Sequence, residues 1–181
     1  MAEITNILLI GPSGVGKSTL LARVVERLSP TRTIRGFIST SVWDGDTRLG
    51  WRTDACDGSD GGMFATREME SEFRMGPYGC DMTLFERIAL AQLTPLDPSV
   101  LYIVDEFGFA PEWSESAHAA HLAVLDSSAP VLGIVRYRDD GRTPFAEQVK
   151  RRDDVELIEV NLENRDALVD VLVERFRPRS R

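Results

Sequence analysis

The chain has 181 residues, 43% of them hydrophobic and 28% charged, with a formal net charge of −8. That length suits one well-cored domain and is too short for two ordinary ones. The acidic balance argues against an extended basic face for nucleic acid, and no run approaches the roughly 20 apolar residues of a membrane span.

The first apolar run, Asn6 to Ile10, is too short for the core of a signal peptide, and no basic residue precedes it. Bounded by Gly11-Pro12, it reads as a buried strand of the kind found in parallel sheets. Gly11 to Gly16 is a glycine-rich turn. From Ser18 to Leu28 the apolar residues Leu20, Leu21, Val24, Val25 and Leu28 recur at helical spacing, and Ser29-Pro30 ends that helix. Ile34 to Thr40 and Arg48 to Thr53 read as two strands joined through Asp44-Gly45-Asp46, a hairpin inserted after the first helix. Asp57 to Gly62 reads as a polar loop. Leu84 to Leu93 has a helical face of Phe85, Ile88, Ala89 and Leu93, closed by the prolines of Thr94 to Ser99.

Val100 to Val104 is a second buried-strand pattern, and Asp105-Glu106 follows it. Ser114 to Leu125 reads as a helix, Pro130 to Val135 as a strand and Phe145 to Arg151 as a short helix. Val155 to Val160 reads as another strand and Arg165 to Phe176 as a closing helix. Strands alternating with helices predict an α/β fold with a mostly parallel sheet flanked by helices. The expected domain spans 1–176, with 177–181 as a basic tail. Cys56 and Cys80 lack metal-type spacing, so free thiols and the cytosol are expected.

Gly11-Pro12-Ser13-Gly14-Val15-Gly16-Lys17-Ser18 fits G-x-x-x-x-G-K-[ST], and it stands between a buried strand and an amphipathic helix, as that motif requires. Backbone N–H groups from Gly14 to Ser18 can turn inward around phosphate oxygens, helped by the positive end of the helix dipole. Lys17 would reach the β and γ phosphates, and the Ser18 hydroxyl would ligate Mg²⁺. The expected nucleotide-binding stretch is therefore Gly11, Pro12, Ser13, Gly14, Val15, Gly16, Lys17, Ser18 and Thr19. Lysine is rare in this chain, which otherwise has only Lys150, so Lys17 stands out.

A phosphate loop works with an acid at the end of another core strand. Asp105 is placed for Mg²⁺, through water. Glu106 is placed to orient or deprotonate an attacking water, which favours hydrolysis. Arg48, Arg136 and Arg138 are candidates to stabilise charge on the γ-phosphate, with Arg48 first among them. Trp43, Trp51 and Trp113 could stack on a base, Trp113 by its place just after the acidic strand, but packing is the preferred reading of each. His118 and His121 share a helical face but lack further metal ligands, and Asp57 and Asp60 do not meet a Ca²⁺-loop pattern. Asp105-Glu106-Phe107-Gly108 fits a loose D-x-x-G pattern, yet no N-K-x-D element for guanine exists.

Several landmarks recur together. Gly36-Phe37-Ile38-Ser39-Thr40 leads to Arg48-Leu49-Gly50-Trp51. Met75-Gly76-Pro77-Tyr78 runs on through Asp81 to Phe85-Glu86. Asp105-Glu106-Phe107-Gly108 comes next, and Val160-Asn161 leads to Asn164-Arg165. In this order, from about residue 7 to 176, they resemble the small P-loop nucleoside-triphosphatases with thermophile and animal cancer-related members. The resemblance implies a P-loop NTPase fold and slow Mg²⁺-dependent hydrolysis of ATP, GTP and other nucleoside triphosphates to NDP and phosphate, with little base selectivity. Members of that family continue D-E-I-G with K-M-E-L, where this chain has Phe109-Ala110-Pro111-Glu112. Two alternatives stay open: a small-molecule kinase with Arg136 to Arg142 as its lid, and a nucleotide-binding switch that turns over only with a partner.

Overall fold

Ile7, Leu8 and Leu9 are all fully buried, which neighbouring residues of a strand achieve only when both faces of the sheet are covered. The computed structural model describes residues 5–138 and 140–178. These residues form β1 (Asn6–Ile10), α1 (Lys17–Leu28), β2 (Ile34–Asp44), β3 (Thr47–Ala55), β4 (Gly61–Thr66), β5 (Arg74–Met75), β6 (Tyr78–Cys80) and α2 (Met82–Leu93). After them come β7 (Leu101–Phe107), α3 (Ala110–Trp113), α4 (Glu115–Asp126), β8 (Val131–Val135), α5 (Pro144–Lys150), β9 (Val155–Glu159) and α6 (Ala167–Phe176). Residues 179–181 of the expected basic tail lie outside the described residues.

The strands form one sheet in the order β5-β6-β4-β3-β2-β7-β8-β1-β9. From β2 to β9 the pairings are parallel; from β2 to β5 they are antiparallel. The sheet is therefore mixed, which corrects the expectation of a mostly parallel one. The physical reason is connectivity. Parallel neighbours need a long crossover, and that leaves a helix in the sequence; antiparallel neighbours need only a turn. The hairpin expected after α1 is β2 and β3, turning at Gly45-Asp46. It does not stand alone, because β4, β6 and β5 continue the sheet from it.

Side chains of the core strands sort by parity. Ile7, Leu9, Leu101, Ile103, Leu132 and Ile134 pack under α1 and α6. Leu8, Tyr102, Val104 and Val131 pack on the opposite face with α2, α4 and α5. Between α1 and α6, Leu21, Val24 and Leu28 meet Val169, Leu172 and Phe176. Arg23–Asp166 and Arg27–Asp170 ion pairs also link these helices, but their side chains are largely exposed. Such pairs contribute about 0–1 kcal/mol each, whereas one buried leucine contributes roughly 2 kcal/mol, so apolar packing decides the docking. Cys56 and Cys80 are unpaired, and no helix among the described residues is long and apolar enough to cross a membrane.

His121 is fully buried on α4, ringed by Phe37, Phe85, Phe107 and Phe145. Its Nδ1 lies 2.7 Å from the Ala117 carbonyl, which can only accept, so Nδ1 carries the proton. Burial pushes the imidazole down to about 4. An unfolded histidine titrates near 6.5, so the unfolded chain takes up a proton as pH falls from 6.5 to 4 while the folded one does not. Stability from this group is complete above 6.5 and is lost on acidification. Between pH 7 and pH 5 it should cost about 2 kcal/mol in urea unfolding. His121→Phe should flatten that part of the profile; equal acid sensitivity in both proteins would refute the assignment.

Candidate active site

Between β1 and α1 the chain makes the turn that its glycines permit. Gly14 and Gly16 have φ of +82° and +104°, left-handed values that side chains resist. Gly16 is the N-cap of α1 and offers no side chain, so the N–H groups of the first turn stay free for a ligand. No acidic residue occupies that turn. Lys17 folds back over the loop, its Nζ donating to the carbonyls of Gly11 at 2.7 Å and Pro12 at 2.9 Å. Val15 points its side chain into the core, so only its backbone faces the loop.

Asp105 and Glu106 lie inside β7, two residues and one residue before its end rather than after it. Asp105 is 5% exposed. Its carboxylate accepts from the Ser39 N–H on β2 at 3.2 Å, and its backbone carbonyl accepts from the Ser39 hydroxyl at 3.1 Å. Burial pushes the Asp105 carboxyl up to about 7. The nearby Ser18 hydroxyl, the Ser39 N–H bonded to it and the Lys17 charge pull the other way, while Glu106 adds to the rise. Burial also raises Glu106, opposed by Arg136 and Lys17. Burial lowers Lys17, against the attraction of Glu106 and Asp105.

Glu106 sits in a β-bulge. Asp105 pairs with Ile134 and Phe107 with Val135, so two steps on β7 face one step on β8. The extra residue resets the parity of the strand. Phe107 joins Tyr102 and Val104 on the α2–α4 face, although its odd number would otherwise put it with Leu101 and Ile103. Gly108 then leaves room for Glu106. A Cβ there would lie 2.4 Å from Glu106 Oε1, the far end of a flexible side chain.

Loop and acids share a cleft of about 810 Å³. Of the expected residues, Gly11 to Gly14, Gly16 to Thr19, Arg48, Asp105, Glu106, Arg136 and Arg138 line it, with Trp43 and Trp51. Arg48 lies between two indoles, its guanidinium 4.6 Å from the Trp43 ring and 4.8 Å from the Trp51 ring. Arg136 stacks 4.0 Å over Phe109 and pairs with Asp140 at 2.8 Å.

The remaining candidates lie elsewhere. Trp113 packs against Phe109 and Phe73 and does not line the cleft. His118 contacts the Pro111 carbonyl, and Asp57 and Asp60 bind Ser59, Gln92 and Arg87. No group of three or more His, Cys, Asp or Glu suited to a metal occurs among the described residues. Glu112 accepts from the Phe145 N–H at 2.7 Å and so caps the start of α5.

Three site residues escaped the reading of the residues themselves. Ser39 holds Asp105, and Gly108 accommodates Glu106. Arg165, just before α6, donates to the Val15 carbonyl at 3.1 Å and braces the loop from outside. Only their places in the recurring landmarks pointed to them.

Comparison with known proteins gives one consistent answer. A family model described as NTPase matches residues 6–173. The nucleoside-triphosphatase THEP1 of Thermotoga maritima is 29% identical over 169 residues, 93% of each chain. The crystal structure of THEP1 from Aquifex aeolicus matches with a TM-score of 0.83 at 26% identity, covering 96% of this chain and 99% of that one. The solution structure of a human cancer-related nucleoside triphosphatase matches with a TM-score of 0.80 at 28% identity, covering 97% and 99%. The family match takes in the phosphate loop, both acids and the brace at Arg165, and the chain belongs to this NTPase family.

Proposed function

We propose that this chain is a Mg²⁺-dependent nucleoside-triphosphatase with a P-loop fold, releasing phosphate from ATP, GTP and other nucleoside triphosphates in the cytosol. The observation that carries the reading is convergence: the glycine loop, Lys17, Ser18, Asp105 and Glu106 line one cleft although they come from separate parts of the chain. The relatives that match most of the chain are themselves nucleoside-triphosphatases by name. Low base selectivity fits a sequence without an N-K-x-D element.

The donor set suits Mg²⁺. Ser18 and Asp105 offer hard oxygen atoms on the wall of the same cleft, and few further protein ligands are at hand. Mg²⁺ keeps several waters and takes the rest of its shell from phosphate, so two protein oxygens suffice. Bound there, the ion would neutralise charge on the β and γ phosphate oxygens. Lys17 would exchange the Gly11 and Pro12 carbonyls for phosphate oxygens, and the free amides of the first turn of α1 would hold the rest. Glu106 is raised by burial and so is suited to take a proton from water as its oxygen attacks the γ-phosphorus. The bond from that phosphorus to the bridging oxygen breaks, leaving NDP and phosphate. Besides Lys17, Arg136, whose charge acts on Glu106, and Arg48 line the same cleft and are the candidates to meet the developing charge.

Phosphate release from ATP, GTP, CTP and UTP should be measured with Mg²⁺ and again with excess chelator. All four should turn over, and chelation should stop them. Lys17→Ala and Glu106→Gln should each lower kcat by on the order of 10²-fold or more. Full activity in Glu106→Gln would remove that residue from the chemistry.

Gly108→Ala gives a sharper test. The three atoms nearest the added methyl all belong to the Glu106 side chain, so that side chain should move and the fold should stay. The expected result is a loss of about tenfold in kcat with an unchanged melting temperature; a large drop in melting temperature would count against this view. Arg165→Ala should weaken nucleotide binding roughly tenfold through the loosened loop, with kcat at saturation nearly unchanged. Titration of a fluorescent nucleotide would show it.

A further inference from the structure

The cleft extends beyond the phosphate loop and the acids. At about 810 Å³ it lies high in the range of roughly 300–1,000 Å³ for small-molecule sites. The further part of its lining comes from one side of the acids. The phosphate loop leaves β1, and the sheet order places β8, β7, β2 and β3 successively further from it. Asp105 and Glu106 on β7, with Ser39 of β2 bonded to Asp105, mark the γ-phosphate end, so what β2 contributes beyond Ser39, together with β3, β4, β5 and α2, lies past the γ-phosphate. That far lobe has aromatic and apolar walls: Trp51 from β3, Phe64 from β4, Met75 from β5 and Phe85 from α2. Trp43, 52% exposed, stands at its mouth with Arg48. The Nε of Arg48 is buried and has no hydrogen-bond partner in the structure. The Ser41 hydroxyl also faces the cleft and makes no bond that occupies it.

A lobe used only to admit water would gain nothing from this lining. Trp43 and Trp51 offer aromatic surface to a planar ring, and the unpartnered Nε of Arg48 beside Ser41 suits the hydroxyls and carbonyls of a polar ligand. We propose that the lobe binds a nucleoside as a phosphoryl acceptor, its base against Trp51 and its sugar hydroxyl turned toward Glu106. This rests on the assignment of Glu106 and Asp105 to the γ-phosphate end. The nucleoside hydroxyl oxygen forms the new bond to the γ-phosphorus. The bond from that phosphorus to the bridging oxygen breaks, and its electron pair leaves with NDP. The hydroxyl proton passes to the Glu106 carboxylate and then to solvent. The products are NDP and a nucleoside monophosphate. Without a nucleoside, water takes the same position and phosphate is released.

The test uses the full chain with Mg²⁺, ATP labelled at the γ-phosphate, and adenosine, guanosine, cytidine or uridine. Products are separated by chromatography. Labelled nucleoside monophosphate should appear with at least one nucleoside, at the expense of labelled phosphate. The half-saturating nucleoside concentration should rise about tenfold in Trp51→Ala. It should rise also in Trp43→Ala, whose exposed side chain keeps folding out of the question. Label found only in phosphate, at a rate indifferent to every nucleoside, overturns the inference and leaves the hydrolase reading intact. Slower phosphate release with no monophosphate formed overturns the transfer step. No consumption of ATP under any condition overturns both readings together.

Discussion

A buried carboxylate needs polar company, and Asp105 has it from two other elements. Ser39 on β2 gives its N–H, and the Ser18 hydroxyl at the start of α1 stands near enough to favour the charged form. An isolated charge in that position would be costly to desolvate, so the three elements must arrive together. β8 lies between β1 and β7 in the sheet. The phosphate loop therefore has to arch over the end of β8 to bring Ser18 to Asp105. Ser39 is in turn bonded through its hydroxyl to Thr53 on β3, at 2.8 Å, which ties the start of the antiparallel extension to the same carboxylate. The site is complete only when the parallel core, the loop and the hairpin have all formed.

The bulge at Glu106 resolves a conflict between packing and chemistry. A regular strand would send Phe107 to the α1 face along with Asp105, next to the loop. One extra residue sends it to the opposite core instead, where it is fully buried and contributes roughly 2–3 kcal/mol. Glu106 is half-buried rather than lost in the opposite core and keeps a face on the cleft. Gly108 completes the arrangement by leaving the space into which the carboxylate folds.

Much of this was legible in the sequence because it follows from local rules. Ile7 to Ile10 and Val100 to Val104 read as doubly covered strands since nothing polar interrupts them, and the glycine spacing from Gly11 to Ser18 has few other uses. The extension was harder. Gly61 and Gly62 open β4, yet glycine lowers strand propensity and the pair read as the end of a loop. Strands β5 and β6 have two and three residues, too few for alternation to show. Asp105 and Glu106 were placed past the strand because charge ordinarily marks its end; the strand continues to Phe107 only because Asp105 is hydrogen-bonded inside it. Trp113 illustrates the limit of proximity in sequence. It lies a few residues after the acids, but the single turn of α3 aims it at Phe109 and Phe73.

The two outermost strands differ in kind from those they enclose. At one border β5 has only two residues, and Pro77 follows just beyond it, so little backbone is available there for a foreign strand. At the other, β9 carries Glu156 and Glu159, and Arg175 of α6 reaches over to grip Glu156 through both carboxylate oxygens. A neighbouring molecule trying to lengthen the sheet would meet a stub on one side and clustered charge on the other. A wide, aromatic-rich sheet of this sort would otherwise be an aggregation hazard, and its terminal strands act as gatekeepers of solubility.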